Sequence, residues 1–250
     1  MTRLTTKKYW ENYYHSDIKP IKRQITQTCS GYDEFWNILI NQNDNKSQKT
    51  IIEIGGYPGR YLAYLSDKYN LIPTSLDFNS DSEKISQSME VFDVKEFYTI
   101  QKDFFDYTPI QEYDVVISNG FIEHFEDFDD ALDRHLLYLK KGGTLFISIP
   151  NMRNYIKYYK YLVDKNNLDI HNQKCMKLSV FENFSKRNNL KILYTNYFGS
   201  FPFSVHQDLN FFQKMIFQLH RIPSKFFLNK WIENNPNKYF SSSIIAVYKK

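Results

Sequence analysis

Cysteine is nearly missing: only Cys29 and Cys175 occur in 250 residues, far apart in the chain. Two such residues exclude a disulfide framework and a cysteine-built zinc site, and they suit a reducing compartment. Glycine and proline are scarce as well, with eight of each. The chain therefore has no proline- or glycine-rich linker and no low-complexity segment. No run is long and apolar enough to span a bilayer, and the start, "MTRLTTKKYW", lacks the apolar segment of a signal peptide. A cytoplasmic protein is the expectation. No lysine or arginine cluster is dense enough to suggest nucleic-acid binding.

What is present suits one globular domain with elaborated flanks. Hydrophobic residues make up 42%, aromatics 18% and charged residues 24%, which gives material for a core and argues against disorder. Phenylalanine (21) and tyrosine (20) are abundant. The net charge of +4 is uneven. Residues 1–30 carry six basic against two acidic side chains, residues 205–250 seven against two, and the middle 19 against 24. Basic flanks around a mildly acidic middle suit a phosphorylated substrate or an anionic surface, or are simply solvated.

Strand and helix patterns alternate through the middle of the chain. "TIIEI" (50–54) ends in glycines, and "RYLAYLSDKY" (60–69) follows as a helix. "LIPTSLDF" (71–78), "KEFYTIQKDF" (95–104), "YDVVISN" (113–119), "TLFISIP" (144–150), "LKILYTNYF" (190–198) and "SSSIIAVYK" (241–249) read as further strands. Helices are expected at 32–40, 80–92, 128–143 and near 174–188, the third ending on lysines and glycines. Such alternation implies a mostly parallel seven-stranded sheet with helices on both faces, an α/β Rossmann-like architecture. We divide the chain into an N-terminal helical segment (1–45), a core (46–198), a helical insert (199–240) and the last strand (241–250).

In open α/β sheets ligands bind at the carboxyl ends of the strands, so "IIEIGGYPGRY" (51–61) is the place to look. The dinucleotide fingerprint needs glycine where Tyr57 and Arg60 stand. A ligand without a pyrophosphate removes that need. With Glu53, Gly55, Tyr57 and Gly59 around the Gly55–Gly56 turn, the segment resembles the first motif of class I S-adenosylmethionine-dependent methyltransferases, except at its second glycine. Asp77, ending the second strand, matches the family's ribose-binding acid, with Phe78 beside it for the adenine face. Asp103 and Phe104 match the post-strand-three acid near the adenine amino group. "SNGFIEHFED" (118–127), with Asn119 and Gly120, is similar to the post-strand-four motif, and "LKKGGTLFISIPN" (139–151) to the turn into the fifth strand. "YWENYY" (9–14), ending at Tyr14, resembles the aromatic segment that covers the cofactor.

The resemblance implies S-adenosylmethionine as cofactor and methyl transfer to a small molecule, at a hydroxyl of a sugar or nucleotide-linked sugar of surface-polysaccharide assembly. Transfer to an amine and a non-catalytic binding protein are the alternatives. A hydroxyl acceptor needs a base. His124, with Glu123 beside it, and His171 are the candidates, since an imidazole can accept a proton near neutral pH. His135 reads as structural, and His15, His206 and His220 carry no recognisable spacing. Some quinone-type relatives hold a divalent metal with Glu-x-x-Glu-His; Gly120 replaces the first glutamate, so no metal is expected. The insert places Phe211, Phe212, Met215, Ile216 and Leu219 on one stripe, and Phe227, Leu228, Trp231 and Ile232 on another. A cap shaping the substrate pocket is the first reading, and a lid or a membrane-surface contact the others.

Overall fold

The structure is a computed structural model describing residues 1–14, 19–41, 48–79 and 81–250. His15 therefore lies outside the described residues. Seven strands form one sheet: β1 (Thr50–Ile54), β2 (Ile72–Leu76), β3 (Tyr98–Ile100), β4 (Tyr113–Asn119), β5 (Leu139–Pro150), β6 (Lys191–Phe198) and β7 (Ser243–Lys249). Their order is β3-β2-β1-β4-β5-β7-β6, with β7 antiparallel to both neighbours and all other pairs parallel. The chain order reverses between β1 and β4, and a crevice forms there at the carboxyl edge.

Alternate residues of the central strands feed two cores. Ile52, Ile54, Val116, Leu145 and Ile147 pack on one face, under α6 (Phe128–His135) and α9 (Leu178–Arg187). Ile51, Val115, Ile117 and Phe146 pack on the other. That second face is covered by α2 (Lys22–Cys29), α3 (Asp33–Asn41), α4 (Arg60–Tyr69) and α5 (Ser82–Glu90). Burial on both faces explains why β4 is a continuous apolar run rather than an alternating one.

Three elements depart from the sequence reading. The helix expected over 128–143 ends at His135, where Arg134 and His135 already supply cations to the last turn. Tyr138 and Leu139 are fully buried and Leu139 pairs with Tyr113, so burial draws "LKKGG" into β5. Gly142 there has φ 79°, and the register slips between Tyr113 and Val115. The strand expected over 95–104 shrinks to three residues. Its ladder with β2 begins at Thr74, just past Pro73, which has no N–H to donate.

The insert forms a third, smaller core with α7 (Asn154–Val163). Ile156, Tyr159, Val163, Phe201 and Ile232 are its buried residues. Helix α10 (Phe211–Pro223) turns through a π-helical Ser224–Leu228 into α11 (Asn229–Asn234). Only Ile216 of the α10 stripe packs inwards, joined by Phe217; Phe211, Phe212, Met215 and Leu219 are exposed. Two short helices, α1 (Lys7–Tyr13) and α8 (Lys165–Asp169), border the site. Among the described residues no helix is long and apolar enough to cross a membrane.

Candidate active site

The site is built on the turn leaving β1. Gly55 and Gly59 adopt φ 72° and 84°, a left-handed conformation that side chains rarely take. A Cβ on Gly55 would lie 2.7 Å from the Phe121 ring, so glycine is needed for space as well. The turn is held by Gly55 N–H donating to Leu76 O (2.9 Å) and Gly59 N–H donating to Gly56 O (2.7 Å). Gly56 packs against Ser75 and Glu53 with no room for a Cβ.

Two carboxyls flank the turn. Glu53, on β1, is 3% exposed, and its Oε1 accepts from Asn119 Nδ2 at 3.1 Å. Burial pushes its carboxyl up to about 8, opposed by the Asn119 hydrogen bond and the Arg60 guanidinium. Asp77 accepts from the backbone N–H groups of Asn79 (2.7 Å) and Tyr57 (3.4 Å), while burial raises its pKa. Ser75 Oγ, Ser118 Oγ and Asn119 Oδ1, at the carboxyl ends of the strands flanking β1, are buried without a hydrogen-bond partner. Such orphans are uncommon in folded proteins and mark a place where a ligand's donors fit.

Aromatic side chains roof this region. Tyr14 meets Tyr57 edge-on at 4.9 Å and stacks on Trp10 at 5.9 Å; Trp10 in turn meets His124 edge-on at 5.0 Å. The segment is anchored by Leu4 N–H donating to His124 O (2.8 Å) and Glu126 N–H donating to Thr2 O (3.1 Å). A narrow cleft between Asp77, Phe78, Gly55, Gly120 and Phe121 runs under Trp10 and Tyr14. Asp103 is turned away from it: one oxygen ion-pairs with Arg3 and the other accepts from Phe105 N–H at 2.9 Å. Phe104, 4% exposed, stacks on Tyr138 in the core beneath. These two residues border an adjoining cleft with Asp77 and Phe78, while Asp103 also ties down Arg3.

Beyond Asn119 and Gly120 a second cavity of about 370 Å³ opens, bordered by Trp10, Tyr13, Asn151, Lys160, His171 and His206. Glu123 and His124 sit in a short 3₁₀ turn, and His171 comes from the loop after α8. Asn172 N–H donates to Glu123 O (2.7 Å) and clips the two segments together. The His124 and His171 rings lie 4.7 Å apart. Burial depresses both imidazoles, to about 3 for His124 and about 4 for His171, and a charged His171 would further disfavour a proton on His124. Both are neutral at pH 7 and weaker bases than their type suggests. Burial pushes the Glu123 carboxyl up to about 8.

A further imidazole borders the cavity. His206 Nδ1 lies 3.1 Å from Asp164 Oδ2, and its backbone N–H donates to Asp164 Oδ1 at 3.2 Å. Asp164 also accepts from Lys160 Nζ and Asn167 Nδ2, both at 3.2 Å, and these interactions hold its carboxyl low despite burial. Lys160 and Asp164 are i,i+4 neighbours, whereas His206 stands 42 residues from Asp164, and no local pattern in the sequence links the two. His135 packs inside α6 with Nδ1 on Ala131 O, and His220 of the insert bonds Tyr155 of α7; neither borders the cavity.

Comparison with known proteins decides what this crevice belongs to. A family model described as a methyltransferase domain matches residues 21–194. The chain belongs to the methyltransferase-domain family. Its fold is similar to that of an S-adenosylmethionine-dependent methyltransferase from Archaeoglobus fulgidus (TM-score 0.57, 15% identity, covering 96% of this chain and 98% of that one). It is similar to coclaurine N-methyltransferase bound to N-methylheliamine and S-adenosylhomocysteine (0.57, 13%, covering 95% and 76%). It also resembles the plantazolicin methyltransferase in complex with S-adenosylhomocysteine (0.53, 16%, covering 96% and 93%). No curated protein matches the chain by sequence.

This methyltransferase is thus a class I enzyme with S-adenosylmethionine as cofactor. The residues present fit that molecule. A zwitterionic amino acid joined to a nucleoside needs acceptors for an ammonium and a diol, and the buried Glu53 at the end of β1 and the half-buried Asp77 after β2 offer both. Tyr57 stands where a dinucleotide enzyme needs glycine for the pyrophosphate, and Arg60 where it needs one for helix–strand packing.

Proposed function

We propose that this methyltransferase methylates a hydroxyl of a small polar acceptor, a sugar or nucleotide-linked sugar, seated in the cavity between Trp10 and His171. The observation that carries this reading is the cavity wall, which the rings of Tyr9, Trp10 and Tyr13 share with the polar side chains of Asn167, His171 and His206. Flat rings suit the apolar faces of a sugar, and dispersed donors and acceptors suit its hydroxyls. Phosphorylated acceptors are drawn by the basic flanks. A place among surface-polysaccharide enzymes rests on the sequence resemblance.

S-adenosylmethionine supplies an already activated methyl group. The chain's share is then placement and proton removal. In this reading Glu53 and Asn119 hold the cofactor's amino-acid end, with Gly55, Gly56 and Gly59 keeping the turn open. Asp77 takes the ribose hydroxyls, Phe78 and Gly120 border the base, and Tyr14 and Tyr57 close over the methionine end. Glu123, His124 and His171 mark the acceptor's end. The acceptor's proton passes to an imidazole of the cavity, and His206 suits this best, because Asp164 backs it as an acid backs a base.

The test is methyl transfer from methyl-deuterated cofactor to a panel of sugars, nucleotide-linked sugars and primary or secondary amines, read by mass spectrometry. A three-dalton-heavier methyl on a sugar oxygen supports the proposal. Labelling of amines alone overturns it in favour of N-methylation, the reading favoured by the structural likeness to coclaurine N-methyltransferase. His206→Ala is expected to lower kcat by about 100-fold or more with cofactor affinity retained.

A further inference from the structure

We propose that Glu123, His124 and His171 form a divalent transition-metal site at the acceptor end of the cavity. Their ligand atoms all lie within 4.8 Å of one another. Glu123 is 1% exposed, and its Oε2 has no hydrogen-bond partner. Its other oxygen lies 3.9 Å from His124 Nε2, too far for a hydrogen bond. A buried carboxyl is thus gathered with two buried or half-buried imidazoles without being bonded to either, which leaves a shared cation as the natural partner.

The imidazoles are oriented for ligation. His124 Nδ1 lies 3.1 Å from Ile170 O and His171 Nδ1 lies 2.5 Å from Asn167 O. A carbonyl can only accept, so each ring carries its proton on Nδ1 and keeps the Nε2 lone pair free. A backbone carbonyl fixing the tautomer of a ligating histidine is the usual outer support of metal sites. The clip from Asn172 N–H to Glu123 O ties the loop of His171 to the turn of Glu123 and His124. With ligand bonds near ~2.1 Å, binding draws the three side chains inwards from their present spacing.

Two imidazoles and one carboxylate select Zn²⁺, Mn²⁺, Fe²⁺ or Co²⁺ over Mg²⁺ and Ca²⁺, which prefer oxygen. The cavity leaves room for further ligands, and such a cation makes a hydroxyl beside it easier to ionise. This revises the expectation, drawn from Gly120, that no metal is held: the third ligand comes from the loop after α8 instead. Only the link to hydroxyl activation rests on the proposed methylation; the site itself does not. With both Nε2 lone pairs engaged, His206 remains as the imidazole free to take a proton.

The test is titration of full-length, tag-free, chelator-treated protein with Co²⁺, followed by visible absorption, and with Zn²⁺ by calorimetry, with S-adenosylhomocysteine binding measured alongside. One equivalent of either ion should bind saturably at micromolar levels, and Mg²⁺ at the same concentration should not compete. His171→Ala and Glu123→Gln should weaken binding at least ~100-fold, since even loss of an outer-shell partner costs about 10–100-fold. His206→Ala should leave it unchanged. Absence of saturable one-to-one binding in the wild type overturns the site, as does unchanged affinity in His171→Ala that still binds S-adenosylhomocysteine. Neither result touches the sugar assignment, which the labelling panel decides separately.

Discussion

Asp77 is the residue on which cofactor affinity should turn most sharply. It accepts from two backbone N–H groups and borders the cleft with Phe78. Hydrogen bonds to a charged group contribute about 1.5–3 kcal/mol each, so Asp77→Ala should weaken S-adenosylhomocysteine binding about 10- to 100-fold. Calorimetric titration of the folded variant checks this, and an affinity within twofold of wild type would remove Asp77 from the site. Glu53 gives a pH signature instead. Burial raises its carboxyl from 4.5 in the unfolded chain to about 8, so the fold favours the protonated form. That contribution is fully present below 4.5 and is lost as pH climbs towards about 8. The imidazoles, and Glu123, whose carboxyl burial likewise raises to about 8, titrate in both the wild type and Glu53→Gln and cancel in the comparison. Between pH 6.5 and 8 the cofactor-free wild type should lose stability relative to Glu53→Gln, by at most ~1.4 kcal/mol per pH unit. Urea unfolding of both proteins at the two pH values measures it; a difference that does not change with pH refutes the assignment.

At the level of elements, the strand–turn–helix at 50–69 was legible because every signal in it is local. The apolar run, the glycines at positive φ and the helix that follows all lie within one stretch of chain. Strand β4 was legible to the residue for the same reason. The extent of α6 was not: lysines followed by glycines signal a helix end, but the burial of Tyr138 and Leu139 beside β4 is a tertiary demand. The site divides along the same line. Glu53, Gly55 and Asp77 sit at strand ends that the pattern fixes, whereas His206 reaches Asp164 only through the packing of the insert. The aromatic N-terminal segment is intermediate. Its helix α1 buries no residue, and the segment is tied to the rest by the Arg3–Asp103 ion pair, Lys84 donating to Tyr14 O, ring contacts of Trp10 and Tyr14, and a few backbone bonds. An element so lightly held opens easily. Removing residues 1–14 should therefore leave the sheet folded while weakening S-adenosylhomocysteine at least ~10-fold, and in the full chain bound ligand should slow proteolysis in this segment. Equal affinity with and without the segment would show that it does not cover the cofactor.

Across the whole molecule, stability should be unevenly distributed. The two large cores lock the sheet, while the insert leans on α7 through the smaller core of Ile156, Tyr159, Val163, Phe201 and Ile232, the half-buried side chains around it and a few hydrogen bonds. The apolar stripe on α10 was legible, but its direction was not, because periodicity marks a face without saying what covers it. Phe211, Phe212, Leu219, Phe227 and Trp231 are exposed, so they contribute little to holding the insert. Ile232, 2% exposed, is the residue of α11 that does, and Ile232→Ala should cost about 2–4 kcal/mol of local stability. Hydrogen exchange should then accelerate across 201–240 while the amides of β4 and β5 keep wild-type protection. The consequence reaches the chemistry through the loop ahead of α10, since Ser204 and His206 border the acceptor cavity and both bond into the Lys160–Asp164 pair. Loosening the insert should raise the acceptor's KM and leave S-adenosylhomocysteine affinity unchanged, because no residue of the insert borders the Asp77 cleft. Exchange that speeds equally in β4 and in the insert would mean that the protein unfolds as one unit, and the insert could then not tune the acceptor site on its own.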